Sequence, residues 1–300
     1  MSGRKINLFE FPSNLGLKKT DYAIEPGVKK LPDWLKRFGF HDQIKPNKVI
    51  RLDSPAYTML VDEDSQVRNA DNIVAYAIEQ AALLNNEINN ETFQLILGGD
   101  CSILIGSAIA LRQTGKYGLF YLDGHTDFIW PEMSGTHGAA GMDLAIVAGH
   151  GHNKLTNIHD LKPYIQEDHI YCVGNREYDL DYEKPVIESN VTYFPLNRLR
   201  EKGLQNTVQQ FLQMSQQNNL DGFFIHFDVD ALDDRIMPAV DSRTEDGLSY
   251  DELAGLLTPL LSSKNAVGME ITILDPDLDE EGTWTRQFVK HIAQIINSIR

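Results

Sequence analysis

Residues 118–127 read Gly118-Leu119-Phe120-Tyr121-Leu122-Asp123-Gly124-His125-Thr126-Asp127. An apolar run ends abruptly in three side chains able to bind a metal. The run is too short for a helix and apolar on both faces, as in an inner strand of a parallel sheet. If the backbone stays extended past Leu122, then Asp123, His125 and Asp127 project to one side. Read alone, the string is equally a polar loop, because short motifs recur by chance.

The same grammar repeats on either side. Upstream, Phe93 to Leu97 is a buried-strand run ending in Gly98-Gly99-Asp100-Cys101-Ser102. Downstream, Gly222 to Phe227 ends in Asp228-Val229-Asp230-Ala231-Leu232-Asp233. Ile170 to Val173 and Ala266 to Ile273 supply two further strands. Helices alternate with them. Asp71 to about Asn86 carries Ile73, Val74, Ala77, Ile78, Ala81 and Ala82 at helical spacing. Others start near Ser102, stopping at Gly115, and near Ser249; the last runs from Gln287 to Ile299. This alternation predicts an α/β protein: a single-domain, three-layer αβα sandwich over residues 1–300, with a mainly parallel sheet. Ligands of such sheets bind at the carboxyl ends of the strands, which is where the polar clusters fall.

Composition narrows the function. The net charge of -16 disfavours nucleic acid and anionic membranes as partners. Two cysteines, Cys101 and Cys172, are too few for a disulfide framework. No stretch is apolar enough for a signal peptide or a membrane span, so the expected location is cytoplasmic.

Neighbouring carboxylates leaving a buried strand repel each other, and a divalent cation relieves that. A calcium loop starting at Asp228 fails, since its sixth position is Asp233 rather than Gly and its twelfth is Ala239 rather than Glu. The run Asp275-Pro276-Asp277-Leu278-Asp279 fails likewise and reads as a solvated loop. Cys101 by itself reads more readily as an inert buried thiol than as a ligand.

Together, GGDCS, DGHTD and FDVDALDD resemble the arginase, agmatinase and formiminoglutamase superfamily, whose strings are GGDHS, D-x-H-x-D and D-x-D-x-x-D in that order. The likeness covers nearly the whole chain. Pro26-Gly27-Val28 with Leu35 and Gly39, and Asp246-Gly247-Leu248-Ser249-Tyr250, fit its first and last segments. The resemblance implies an arginase-like fold and two divalent ions bridged by a hydroxide that attacks a trigonal guanidino carbon. It implies that Asp123 and Asp228 bridge both ions, that Asp127 and Cys101 complete one shell, and that His125 and Asp230 complete the other. Asp127 also orients the nucleophile. Mn²⁺ is the expected ion, with Zn²⁺ or Ni²⁺ opened as alternatives by the softer Cys101. His137, in Ser134-Gly135-Thr136-His137-Gly138, resembles the family's S-G-N-x-H-G loop shortened by one residue. That makes His137 the candidate proton donor and Ser134 and Thr136 candidate substrate contacts. Asp179, in Gly174-Asn175-Arg176-Glu177-Tyr178-Asp179, resembles the arginase Asp that takes an α-amino group. A trimer or hexamer is also implied.

Two departures stand out. Cys101 replaces the family's His. Ile273 stands at the register of the family's guanidinium-binding Glu, three residues before Pro276. Glu270 is an odd shift away and points to the opposite face of a regular strand; Asp241 is the other candidate carboxylate. His226 is expected to pack or hydrogen-bond within its strand. His150 and His152 lie past a helix end, and His41, His159, His169 and His291 read as surface residues. Three functional readings follow: an amidinohydrolase releasing urea or a urea analogue, a hydrolase of a formimino group or other amidine, and a non-catalytic ligand-binding homologue. A plain structural domain leaves the stacked carboxylates without a purpose.

Overall fold

Eight strands form one sheet in the computed structural model, which describes residues 4–89 and 91–299. Residues 1–3, 90 and 300 of the expected domain lie outside the described residues. The strands are β1 (Lys5–Glu10), β2 (Lys48–Arg51), β3 (Thr92–Leu97), β4 (Tyr117–Leu122), β5 (Ile170–Val173), β6 (Thr192–Phe194), β7 (Gly222–Asp228) and β8 (Ala266–Thr272). Their order is β2-β1-β3-β8-β7-β4-β5-β6, and every pairing is parallel. Parallel neighbours require helical crossovers, so both faces are covered.

Each central strand divides its side chains between two cores at period two. On β4, Phe120 and Leu122 enter one core while Leu119 and Tyr121 enter the other. Helices Tyr250–Ser262 and Thr283–Ile296 cover the first face, through Leu253, Leu257, Phe288 and Ile292. Helices Ala70–Asn85 and Leu104–Thr114 cover the second, through Ile73, Ala77, Leu104 and Ala108. All three polar strings lie at the carboxyl ends of β3, β4 and β7, which the order places at or next to the sheet's centre.

The GGDCS turn is pinned against the segment after β1. Asp100 N donates to Ser13 O at 3.1 Å, and Ser13 Oγ donates to Asp100 Oδ2 at 2.8 Å. Only glycine fits at Gly99, where a Cβ would lie 1.6 Å from Ser13 O.

Three strands did not stand out in the sequence. β1 carries Asn7 and Glu10, which are buried yet satisfied: Asn7 by Gln94, Glu10 by His41 and Arg51. β2 is an edge strand with alternating exposure, and β6 has three residues. Two expectations are corrected. His41 is not a surface residue; it is buried with Nε2 at 2.7 Å from Glu10 Oε1. Nor is 275–279 a solvated loop. Asp275 accepts from Gly27 N at 3.1 Å and Asp279 accepts from Thr285 N at 2.8 Å, so both are buried turn and cap residues.

Candidate metal centre

Asp228 and Thr272 end neighbouring strands, Asp123 directly follows β4, and Cys101 opens the short helical turn Cys101–Ile103 after β3. Two groups of ligand atoms result. One holds Cys101, Asp123, His226 and Asp228, all buried, with one donor atom from each within 4.8 Å of the others. The second holds Asp123, His125 and Asp230 on the same criterion. Asp123 belongs to both, as a carboxylate shared between two ions would.

Local turns aim these groups. His125 N donates to Asp123 Oδ1 at 2.7 Å, and Asp230 N donates to Asp228 Oδ1 at 2.7 Å. Each acidic side chain thereby caps its own turn through one oxygen, and the second oxygen of Asp228 accepts from the Cys101 thiol. The free oxygen of Asp123, Oδ2, is buried without a protein partner. His125 Nδ1 lies 3.0 Å from Asp230 Oδ2. Arg176 ties the loops together. Its N donates to Gly124 O at 3.0 Å, and Nη2 donates to Asp230 O at 2.7 Å and to Thr244 O at 2.9 Å. A Cβ at Gly124 would lie 2.4 Å from Arg176 Nη1, so glycine is required between Asp123 and His125.

So much buried acid titrates abnormally. Burial, then the charges of Asp230 and Asp123, push the Asp228 carboxyl well above the usual range. Burial, then Asp123 and Asp143, do the same to Asp127. Burial and Asp228 raise the Cys101 thiol, which donates to Asp228 Oδ2 at 2.9 Å. Burial alone would lower His125, but Asp230 and Asp123 overcome it and raise its pKa well above normal. Divalent ions fit the cluster because carboxylate, imidazole and thiolate donors converge on common points.

These groups open into a cleft of about 350 Å³ lined by Cys101, His125, Asp127, Asp228 and Asp230. Ser134, Thr136, Glu177, Tyr182, Asp241 and Ile273 also face it. Asp241 sits on its wall, open to the cleft, where the crowded surroundings and then the charge of Asp230 push its carboxyl upward. Ile273 has φ 75° and closes a tight turn in which Leu274 N donates to Thr272 O at 3.0 Å. A β-branched residue there is strained by about 1–3 kcal/mol, and it puts an apolar side chain on the cleft.

Other candidates lie elsewhere. Asp127 lines the cleft but belongs to neither ligand group; its Oδ2 accepts from Tyr121 OH at 3.0 Å. His137 is turned away, with Nδ1 at 2.8 Å from Gln66 O. Asp179 caps helix Leu180–Glu188 by accepting from Asp181 N at 2.9 Å, and Glu177 faces the cleft in its place, 3.5 Å from His125 Nε2. Glu270 is completely buried, held by His226 and Ser107. His226 was expected to pack or hydrogen-bond within its strand, and it does pair with Glu270; Glu177, Tyr121 and Arg176 were not singled out from the sequence. For Glu177 a signal existed, since it sits in the G-N-R-E-Y-D string; for Tyr121 none did.

The Arginase family model matches residues 20–297, and the chain belongs to that family. It is 26% identical over 290 residues to an arginase of Staphylococcus aureus (strain MRSA252), covering 96% of this chain and 95% of that one. The structure is similar to Entamoeba histolytica arginase, solved in complex with L-ornithine, with TM-score 0.86, 21% identity and coverage of 98% and 99%. It is also similar to formimidoylglutamase from Bacillus subtilis, with TM-score 0.71, 22% identity and coverage of 99% and 88%.

Proposed function

We propose that this protein is a metal-dependent hydrolase that cleaves a C–N bond at the carbon of a guanidino compound, releasing urea or a urea analogue. The observation that carries this reading is the pair of ligand groups sharing Asp123 at the floor of an acidic cleft. The carboxylates of Asp123 and Asp230 are hard donors suited to Mn²⁺, whereas Cys101 draws its group toward Zn²⁺ or Ni²⁺. Divalent ions, when bound, acidify water and make a nucleophile available near neutral pH.

The chain's own residues do the rest. Asp241 faces the cleft and pairs with a cationic, planar guanidinium; Ser134 and Thr136 offer hydroxyls from the opposite loop. Asp127, braced by Tyr121, accepts a hydrogen bond at the cleft floor. His137 serves as proton donor if its loop turns the ring inward, since its neighbours Ser134 and Thr136 already line the cleft. Ile273 favours a second reading, a formimino or other less charged amidine, because it leaves that wall apolar.

A panel of guanidino and formimino compounds assayed with added Mn²⁺ or Zn²⁺ separates the two. Urea release supports the first reading; formamide or ammonia release without urea supports the second; turnover of none leaves the chain a binding protein. For a guanidino substrate, Asp241→Asn lowers kcat/KM by about 10–100-fold, the worth of one hydrogen bond to a charged group. An unchanged kcat/KM would remove Asp241 from the site.

A further inference from the structure

One buried side chain does more than the sequence suggested for it. His226 is completely buried on β7, between Tyr121 of β4 and Glu270 of β8 in the same row. Its Nδ1 lies 2.7 Å from Glu270 Oε1, and the other carboxylate oxygen accepts from Ser107 Oγ at 2.7 Å. Tyr121 stacks on the ring at 4.5 Å and 6°. A carboxylate at Glu270 accepts from Nδ1–H, and in that tautomer of the neutral ring the lone pair lies on Nε2. Nε2 has no partner.

A core histidine satisfied by Glu270 explains Nδ1 and leaves Nε2 buried and unpaired, at a cost of about 1–3 kcal/mol. A ring nitrogen of His226 lies within 4.8 Å of the donor atoms of Cys101, Asp123 and Asp228. A carboxylate behind the far nitrogen of an imidazole is the usual support of a metal-binding histidine.

We propose that His226 Nε2 is a ligand of the ion held by Cys101, Asp123 and Asp228. The imidazole that the family's GGDHS string presents from the position of Cys101 is here presented from β7, with Glu270 and Tyr121 as positioning residues. Glu270 therefore works behind the metal rather than on substrate. With an ion bound, the Cys101 thiol, which here donates to Asp228, would give up its proton to solvent and bind as thiolate. The inference rests on the reading that the two ligand groups hold ions.

The test is Zn²⁺ binding by the full-length protein, measured by stoichiometry and by competition with a chelator. His226→Asn keeps a donor to Glu270 and removes the Nε2 lone pair together with the ring that stacks on Tyr121. It is expected to lose one of the two ions bound by the parent, or to bind it at least about 100-fold more weakly, with the other retained. Adding Cys101→His to His226→Asn is expected to restore the lost ion. Wild-type stoichiometry and affinity in His226→Asn would overturn the proposal. If that variant does not fold, X-ray absorption of the Zn²⁺-loaded parent decides: two imidazoles and one sulfur per pair of ions support it, and a single imidazole overturns it. A parent that binds no Zn²⁺ would instead contradict the metal-site reading itself.

Discussion

Asp123→Ala is expected to lower kcat by at least about three orders of magnitude and to reduce bound metal to less than one equivalent. Among the described residues no other belongs to both ligand groups, so its loss weakens two sites at once. The backbone contribution is small, because Asp123 Oδ1 caps only His125 N. The variant therefore folds, and circular dichroism should match the parent. Asp123→Asn sharpens the argument. It removes charge without changing volume and takes away one of the neighbouring charges that, after burial, raise the carboxyls of Asp127 and Asp228. Metal-free Asp123→Asn should resist denaturant at least as well as the metal-free parent, while losing activity as fully as Asp123→Ala. Activity within tenfold of the parent would remove Asp123 from the centre.

Arg176→Ala is expected to destabilise the fold by about 3 kcal/mol and to weaken metal binding by about 10–100-fold. Its buried guanidinium donates to carbonyl oxygens of Asp230, Leu232, Thr244 and Glu245. Truncation leaves four acceptors unpaired and unties the Asp228–Asp233 segment from the loop that carries Asp241. Arg176→Lys should recover little, since an ammonium cannot reach the spread of carbonyls that the planar fork spans. Denaturant unfolding and chelator competition measure the two effects separately. A variant with parental stability but weakened metal would show that Arg176 acts by charge rather than by bracing.

Much of the fold was legible because β3, β4, β7 and β8 are buried on both faces and read as short apolar runs. The edge strands were not, and β1 was hidden by Asn7 and Glu10, whose partners lie far away in sequence. The ligand strings were legible for the same reason as the strands: Asp123 and Asp228 sit where apolar runs stop. His226 was harder. Within an apolar strand its spacing matches that of a core residue, and only the register of β7 between β4 and β8 sets it beside Tyr121 and Glu270. Glu270 illustrates the parity argument: an odd shift from Ile273 sends it into the core, away from the cleft. Asp179 and His137 matched local strings, but one was used as a helix cap and the other was turned by a left-handed backbone, at φ 57°. Such choices depend on the loops around them, which short motifs do not encode.

The most direct test of the central claim is the metal content of the wild-type protein purified without chelator, measured by elemental analysis. About two equivalents of divalent metal per chain are predicted, with hydrolysis lost on stripping and restored by adding Mn²⁺ or Zn²⁺. A protein that holds no divalent metal, and takes up none when it is supplied, would contradict the account.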